Sequence, residues 1–177
     1  MAATQSQSES RAKSSARKGA SKSSSAGPDA IKLLKDDHRQ VEDWFEQFEG
    51  ANSDSKKQKL AAQICAALTV HTQIEEEVFY PACREAGIED DMMDEADVEH
   101  DGAKKLIAEI EAGKPGDDHW DAKVKVLGEM IKHHVKEEEQ RGGMFANAKQ
   151  ADLDLKGLGA EMKARKDQLT KEMKRRQ

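Results

Sequence analysis

The chain has 177 residues, enough for one domain of ordinary size with extensions and too few for two full cores. Charged side chains make up 36% and aromatic ones only 4%, a balance that disfavours strands and suits amphipathic helices. The formal charge of -6 hides two basic ends, residues 1–28 with Arg11, Lys13, Arg17, Lys18 and Lys22 against Glu9 alone, and residues 161–177 with seven basic and three acidic side chains; the middle is strongly acidic, so nucleic acid is left only to the basic tails.

Residues 1–27 repeat Ser, Lys, Ala and Gly and read as a disordered basic tail. They lack the apolar stretch of a secretory signal. Structure is expected from Pro28, which suits a first helical turn, and Ile31, Leu34, His38, Val41, Phe45 and Phe48 then recur at spacings of three and four up to Gly50. Ser55 with Gln58 reads as a capping box for a second helix, whose buried seam is Leu60, Ile64, Ala67, His71, Ile74 and Val78. Pro81 is expected to kink or end that helix near Tyr80. A third helix carries Met93, Ala96, His100, Ala103, Ile107 and Ile110 and stops at Gly113. Asp117 or Asp118 can cap a fourth, with the seam Trp120, Val124, Leu127, Ile131, His134 and Glu138, ending at Gly142–Gly143. A fifth, mostly polar helix over about 153–175, with Leu155, Leu158, Met162 and Leu169 inward, is expected to pack loosely.

Short turns between amphipathic helices give an all-α, up-down-up-down four-helix bundle over residues 28–150, followed by a C-terminal basic helix or tail over 151–177. No run of about 18 apolar residues occurs, so no membrane-spanning segment is expected. Cys65 and Cys83 are too few for a disulfide framework and suit a cytoplasmic location.

Each of the four bundle helices places a histidine on its buried seam, and two add a glutamate one turn later: His71 with Glu75 and His134 with Glu138. Residues four apart share a helix face, so each pair presents a nitrogen and a carboxylate to one point. Burying two carboxylates among four imidazoles costs several kcal/mol unless a cation sits between them. The candidate metal ligands are therefore His38, His71, Glu75, His100, His134 and Glu138. In the run His133–Glu139 a second register, His133 with Glu137, competes with the favoured His134 with Glu138. Glu76, Glu77, Glu137 and Glu139 read either as groups that support the ligands from outside or as solvated charges, the second being favoured, and His119 reads as an exposed turn residue.

Imidazole and carboxylate without seam cysteines suit Fe, Mn or Zn. Six side chains with both glutamates bridging make about eight bonds, and an oxo or hydroxo bridge leaves about two vacancies on a six-coordinate pair. That count favours two Fe ions over Mn or Zn and implies a small exogenous ligand, dioxygen, nitric oxide or peroxide.

With those residues in hand, the chain resembles the hemerythrin-like proteins of the HHE cation-binding family. The segments 35–39, 71–81, 98–100 and 133–139, including Asp37-His38, His71-Thr72-Gln73-Ile74-Glu75, Glu99-His100 and His134 with Glu138, are similar in order to that family's four helix motifs. The resemblance implies a bridged non-haem di-iron centre with those six residues at the matching ligand positions. It departs at Lys104, where oxygen carriers have a second histidine in the third helix, and at Gln140–Gly143, where a Phe-Pro pair is usual. The first departure shifts the expected function from reversible oxygen carriage to the sensing, iron-handling or peroxide-reactive members; the second implies an altered exit of the fourth helix. A peroxide-scavenging enzyme, with Tyr80 as a redox participant, and a helical interaction module with a structural metal are the alternatives.

Overall fold

The computed structural model describes residues 27–176, so the expected basic tail lies outside the described residues but for Gly27. Among the described residues all regular structure is helical. Helix α1 (Ala30–Glu49) opens with Asp29, whose side chain accepts from the Lys32 N–H at 2.8 Å, and closes at Gly50. Helix α2 (Asp54–Ile74) runs into a π-helical turn, Glu75–Phe79, and on into α3 (Tyr80–Glu85). Helices α4 (Asp90–Glu111) and α5 (Trp120–Glu139) complete the bundle; α6 (Met144–Gln150) and α7 (Leu155–Arg176) follow. Helix α1 packs on α2 and α5, and α4 packs on α2 and α5, which closes the four into a ring.

Several local expectations are corrected. The cap of α2 is Ser53, in extended conformation with its hydroxyl accepting from Lys56 N–H, two residues before the expected Ser55. Neither Asp117 nor Asp118 caps α5. His119 precedes it with a φ of 62°, and Asp117 accepts instead from Lys114 N–H. The start of α5 is pinned from the side, where the Trp120 indole donates at 3.0 Å to the Ile110 carbonyl near the end of α4, which also accepts from Gly113 N–H.

Pro81 does not end the helix. It lacks an N–H and its ring would crowd the carbonyl four residues back in an α-helix. The wider turn before it removes that conflict: Tyr80 N–H donates to Glu75, five residues back, and the chain passes through Pro81.

Helix α7 is not loose. Met162 and Leu169 are fully enclosed in the cluster that holds Leu34, Ile74, Phe79 and Phe145. Gly159 meets the start of α1 so closely that a Cβ there would lie 2.4 Å from the Pro28 carbonyl oxygen. Arg165 adds an ion pair to Glu77 at 2.5 Å, and Lys166 one to Asp37. No helix among the described residues is long and apolar enough to cross a membrane.

Two apolar clusters fill the bundle. One gathers Leu33, Leu34, Ile74, Phe79, Met93 and Phe145; the other gathers Val41, Phe48, Ile64, Leu127, Ile131 and Trp120. The histidines fall on the four seams between them.

Candidate metal centre

His38 follows Leu34 and precedes Val41 on the α1 seam, His100 lies between Ala96 and Ala103 on α4, and His134 follows Ile131 on α5, all at helical spacing. His71 and Glu75 lie one turn apart where α2 meets the π-turn, and Glu138 one turn beyond His134. The structure brings all six together, each almost wholly enclosed, and Glu75 has no exposed surface at all.

The arrangement is paired. His38 Nε2 faces His71 Nε2 at 3.2 Å, and His100 Nε2 faces His134 Nε2 at the same distance. Glu75 lies between the pairs, its Oε2 3.2 Å from His71 Nε2 and 3.5 Å from His100 Nε2. Glu138 lies across from it, its Oε2 3.4 Å from His38 Nε2 and 3.8 Å from His134 Nε2. Two donor groups follow, His38 with His71, Glu75 and Glu138, and His100 with His134 and the shared Glu75. In the competing register His133 points outward, 61% exposed.

The other nitrogen of each ring meets a carboxylate from a neighbouring helix. His38 Nδ1 lies 2.8 Å from Glu139, His100 Nδ1 2.9 Å from Glu76, His134 Nδ1 2.8 Å from Glu99, and His71 Nδ1 a longer 3.5 Å from Asp37. At His38, His100 and His134 those partners assign the ring proton to Nδ1 and leave the Nε2 lone pair facing inward, whereas His71 Nδ1 is buried without a close hydrogen-bond partner. The interior then holds three nitrogen lone pairs, the His71 ring and two carboxylates. Both Glu75 oxygens and Glu138 Oε2 are buried without a hydrogen-bond partner. Acceptors enclosed without donors are costly, and a metal cation satisfies them all, so the donor set fits an imidazole and carboxylate metal site.

Titration in the metal-free chain follows from this crowding. Burial opposes charge on His71, but Glu75 and Asp37 outweigh it and push the ring up to about 10. Burial and the neighbouring His134 push His100 down to about 4. Burial would raise the Glu75 carboxyl, yet His71, His134 and His38 hold it below the ordinary range. The His134 hydrogen bond lowers Glu99.

Sequence reasoning missed part of this site. Glu76 and Glu139, expected to be solvated, meet histidine rings, as do Asp37 and Glu99, which had been noted only as part of the helix motifs. A signal existed: each adjoins a ligand candidate, at Asp37-His38, Glu75-Glu76, Glu99-His100 and Glu138-Glu139. Glu77 and Glu137 do face outward, toward Arg165 and His133. Tyr80, named above as a redox participant in the alternative reading, is fully buried; its hydroxyl donates to Glu138 Oε1 at 3.3 Å and its ring stacks on His100. Phe145 of α6 stacks on His38 at 5.8 Å. Lys104 pairs with Glu76 at 2.7 Å, on the carboxylate that His100 also uses.

A family model for the hemerythrin HHE cation binding domain matches residues 29–141. A protein described as a DNA nickase, from Nostoc sp., is 32% identical over 107 residues, which is 60% of this chain but only 30% of that protein. In fold the chain is similar to the crystal structure of a hemerythrin HHE cation binding domain-containing protein from Mycobacterium kansasii, with a TM-score of 0.68, 21% identity, and coverage of 82% of this chain and 89% of that one.

Proposed function

The chain belongs to the hemerythrin HHE cation-binding domain family, and from that membership we propose that the buried layer holds two iron ions and binds a small ligand, dioxygen, nitric oxide or peroxide, or handles iron. His38 and His71 would hold one ion, His100 and His134 the other, with Glu75 and Glu138 between them. The observation that carries this reading is the pairing of four inward Nε2 atoms into two sets of two, with a carboxylate oxygen within 3.8 Å of both sets on each side. Bound iron would supply the open coordination and electron exchange that such ligands need.

The chain's own residues limit what can reach the layer. A cavity of about 10 Å3 opens beside the four rings, walled by Val41, Leu68 and Ile131. That is space on the order of one water-sized molecule, and its apolar walls suit a neutral diatomic. From outside, a cavity of about 440 Å3 between α4 and α5 reaches His100 and His134.

Metal analysis of freshly purified protein tests the reading. About two irons per chain are expected, with near-ultraviolet charge-transfer bands; zinc alone, or one metal per chain, overturns it.

Tyr80 favours a second reading. A buried phenol that donates to Glu138 is well placed to lend a proton or electron in peroxide scavenging. Steady-state decay of hydrogen peroxide, lost in His71→Ala, would support that enzyme; decay no faster than in His71→Ala would eliminate it. The two buried free thiols, Cys65 and Cys83, each pushed up to about 12 by burial, support a reducing, cytoplasmic setting. Contact with DNA, the substrate in the Nostoc relative's name, would fall to the basic ends.

A further inference from the structure

His133 and Glu137 take no part in the buried layer, yet they repeat its histidine and glutamate spacing on the outer face of α5. His133 Nε2 lies 3.1 Å from Glu137 Oε1 and 3.7 Å from Glu99 Oε1, across on α4. One donor atom from each of the three lies within 4.8 Å of the other two. We propose that Glu99, His133 and Glu137 form a second cation site, on the surface, for a single divalent transition ion such as Zn2+.

The four outer carboxylates make the case by comparison. Asp37 meets Lys166 on its solvent side, Glu76 meets Lys104, and Glu139 meets Lys35 at 3.0 Å and Arg39 at 2.5 Å. In each, a basic side chain balances the carboxylate that holds a histidine ring. Glu99 differs. Its Oε2 holds His134 Nδ1 at 2.8 Å, and among the described residues its outer oxygen meets no lysine or arginine, only the imidazole of His133. Glu137 likewise pairs only with His133. Two carboxylates against one imidazole leave a net negative, electron-rich corner, and a metal ion there supplies the charge that a lysine or arginine supplies at the other three.

The donor types narrow the ion. One imidazole nitrogen with two carboxylate oxygens suits Zn2+ and its neighbours, whereas Mg2+ and Ca2+ prefer oxygen donors alone. Three protein donors leave a position for water, and a cleft of about 160 Å3 runs beside Glu99 and Glu137, with Glu95, one turn before Glu99, on its wall. The ligands also need little ordering. Two sit on α5 one turn apart, and the third is already held by its bond to His134. Because Glu99 is shared, an outer ion draws on the same carboxylate that orients His134, so the surface site can adjust the buried one.

Calorimetric titration of Zn2+ into the full-length, metal-loaded protein tests this. One Zn2+ per chain is expected beyond the buried complement, with affinity weakened about tenfold or more in His133→Ala and in Glu137→Gln. Glu49→Gln, exposed at the end of α1, should bind as the parent does. Uptake by the buried layer does not use His133, so the difference between parent and variants isolates the outer site whatever metal lies inside. His133 is largely exposed, and an unchanged melting curve for its variant verifies that it folds. The absence of an extra equivalent, or an extra equivalent of equal affinity in both variants, overturns the proposal.

Discussion

At His38, His100 and His134, the nitrogen that faces inward is decided by the carboxylate that meets the other nitrogen. Residues in the interior and residues one step around the helix therefore carry different consequences. Glu75→Ala and Glu138→Ala each remove a carboxylate that reaches both histidine pairs, and should lose most of the metal; Glu137→Ala and His133→Ala should keep the buried metal, as elemental analysis will read. Glu76→Gln and Glu139→Gln keep the shape but weaken the hold on the ring proton, and should lower metal affinity by about 10–100-fold in chelator competition without loss of helicity. His71 adds a pH term. Its folded, metal-free value of about 10 lies above the ordinary 6.5, so its contribution to apo stability is full below about 6.5 and is lost as pH rises through 10. Loading metal at pH 7 should therefore expel a proton, measurable by calorimetry in buffers of different ionisation enthalpy. The interior set was readable from spacing because a seam is a property of one helix. The outer carboxylates were not, since Asp37 serves His71 and Glu99 serves His134, pairings that exist only once helices are neighbours.

The elements were legible to the extent that they obey local rules. Seam periodicity marked the four long helices, and Gly50 and Gly113 marked two of their ends. The π-turn at Glu75–Phe79 was not readable, because the proline rule assumes an α-helical ladder and the chain escapes it by widening one turn. Helix α6 was missed as well: seven residues after Gly142–Gly143 look like a frayed exit, although Met144, Phe145 and Ala148 are buried. Gly143 shows why that exit is fixed, since a Cβ there would lie 2.1 Å from the Glu137 carbonyl oxygen. Helix α7 allows a contrast between two glycines. At Gly159 an added methyl meets backbone, so Gly159→Ala should destabilise by about 1–3 kcal/mol despite better helix propensity. At Gly157 it meets the Asp154 side chain, which accepts from the Gly157 N–H and caps the helix, so the gain in helix propensity is offset by a disturbed cap and Gly157→Ala should change stability by less than about 1 kcal/mol. Urea unfolding of the two variants checks both.

Over the whole molecule the metal layer spans the bundle from α1 to α5 and draws on every long helix but α7, which braces it from outside through Lys166 on Asp37. Removing the metal leaves enclosed carboxylates and imidazoles with too few donors among them. The apo protein should stay helical by circular dichroism but melt earlier. Hydrogen exchange should rise around His71, His100 and His134, and equal protection with and without metal would mean the layer is preformed. The placement of the layer has a further consequence. Leu34, Phe79 and Met93 lie in one apolar cluster, Ile64, Leu127 and Trp120 in the other, and the polar layer is what joins them. With metal the joint is rigid and the bundle should unfold as one cooperative unit; without it, the halves share mainly continuous backbone, so the van't Hoff enthalpy should fall below the calorimetric one.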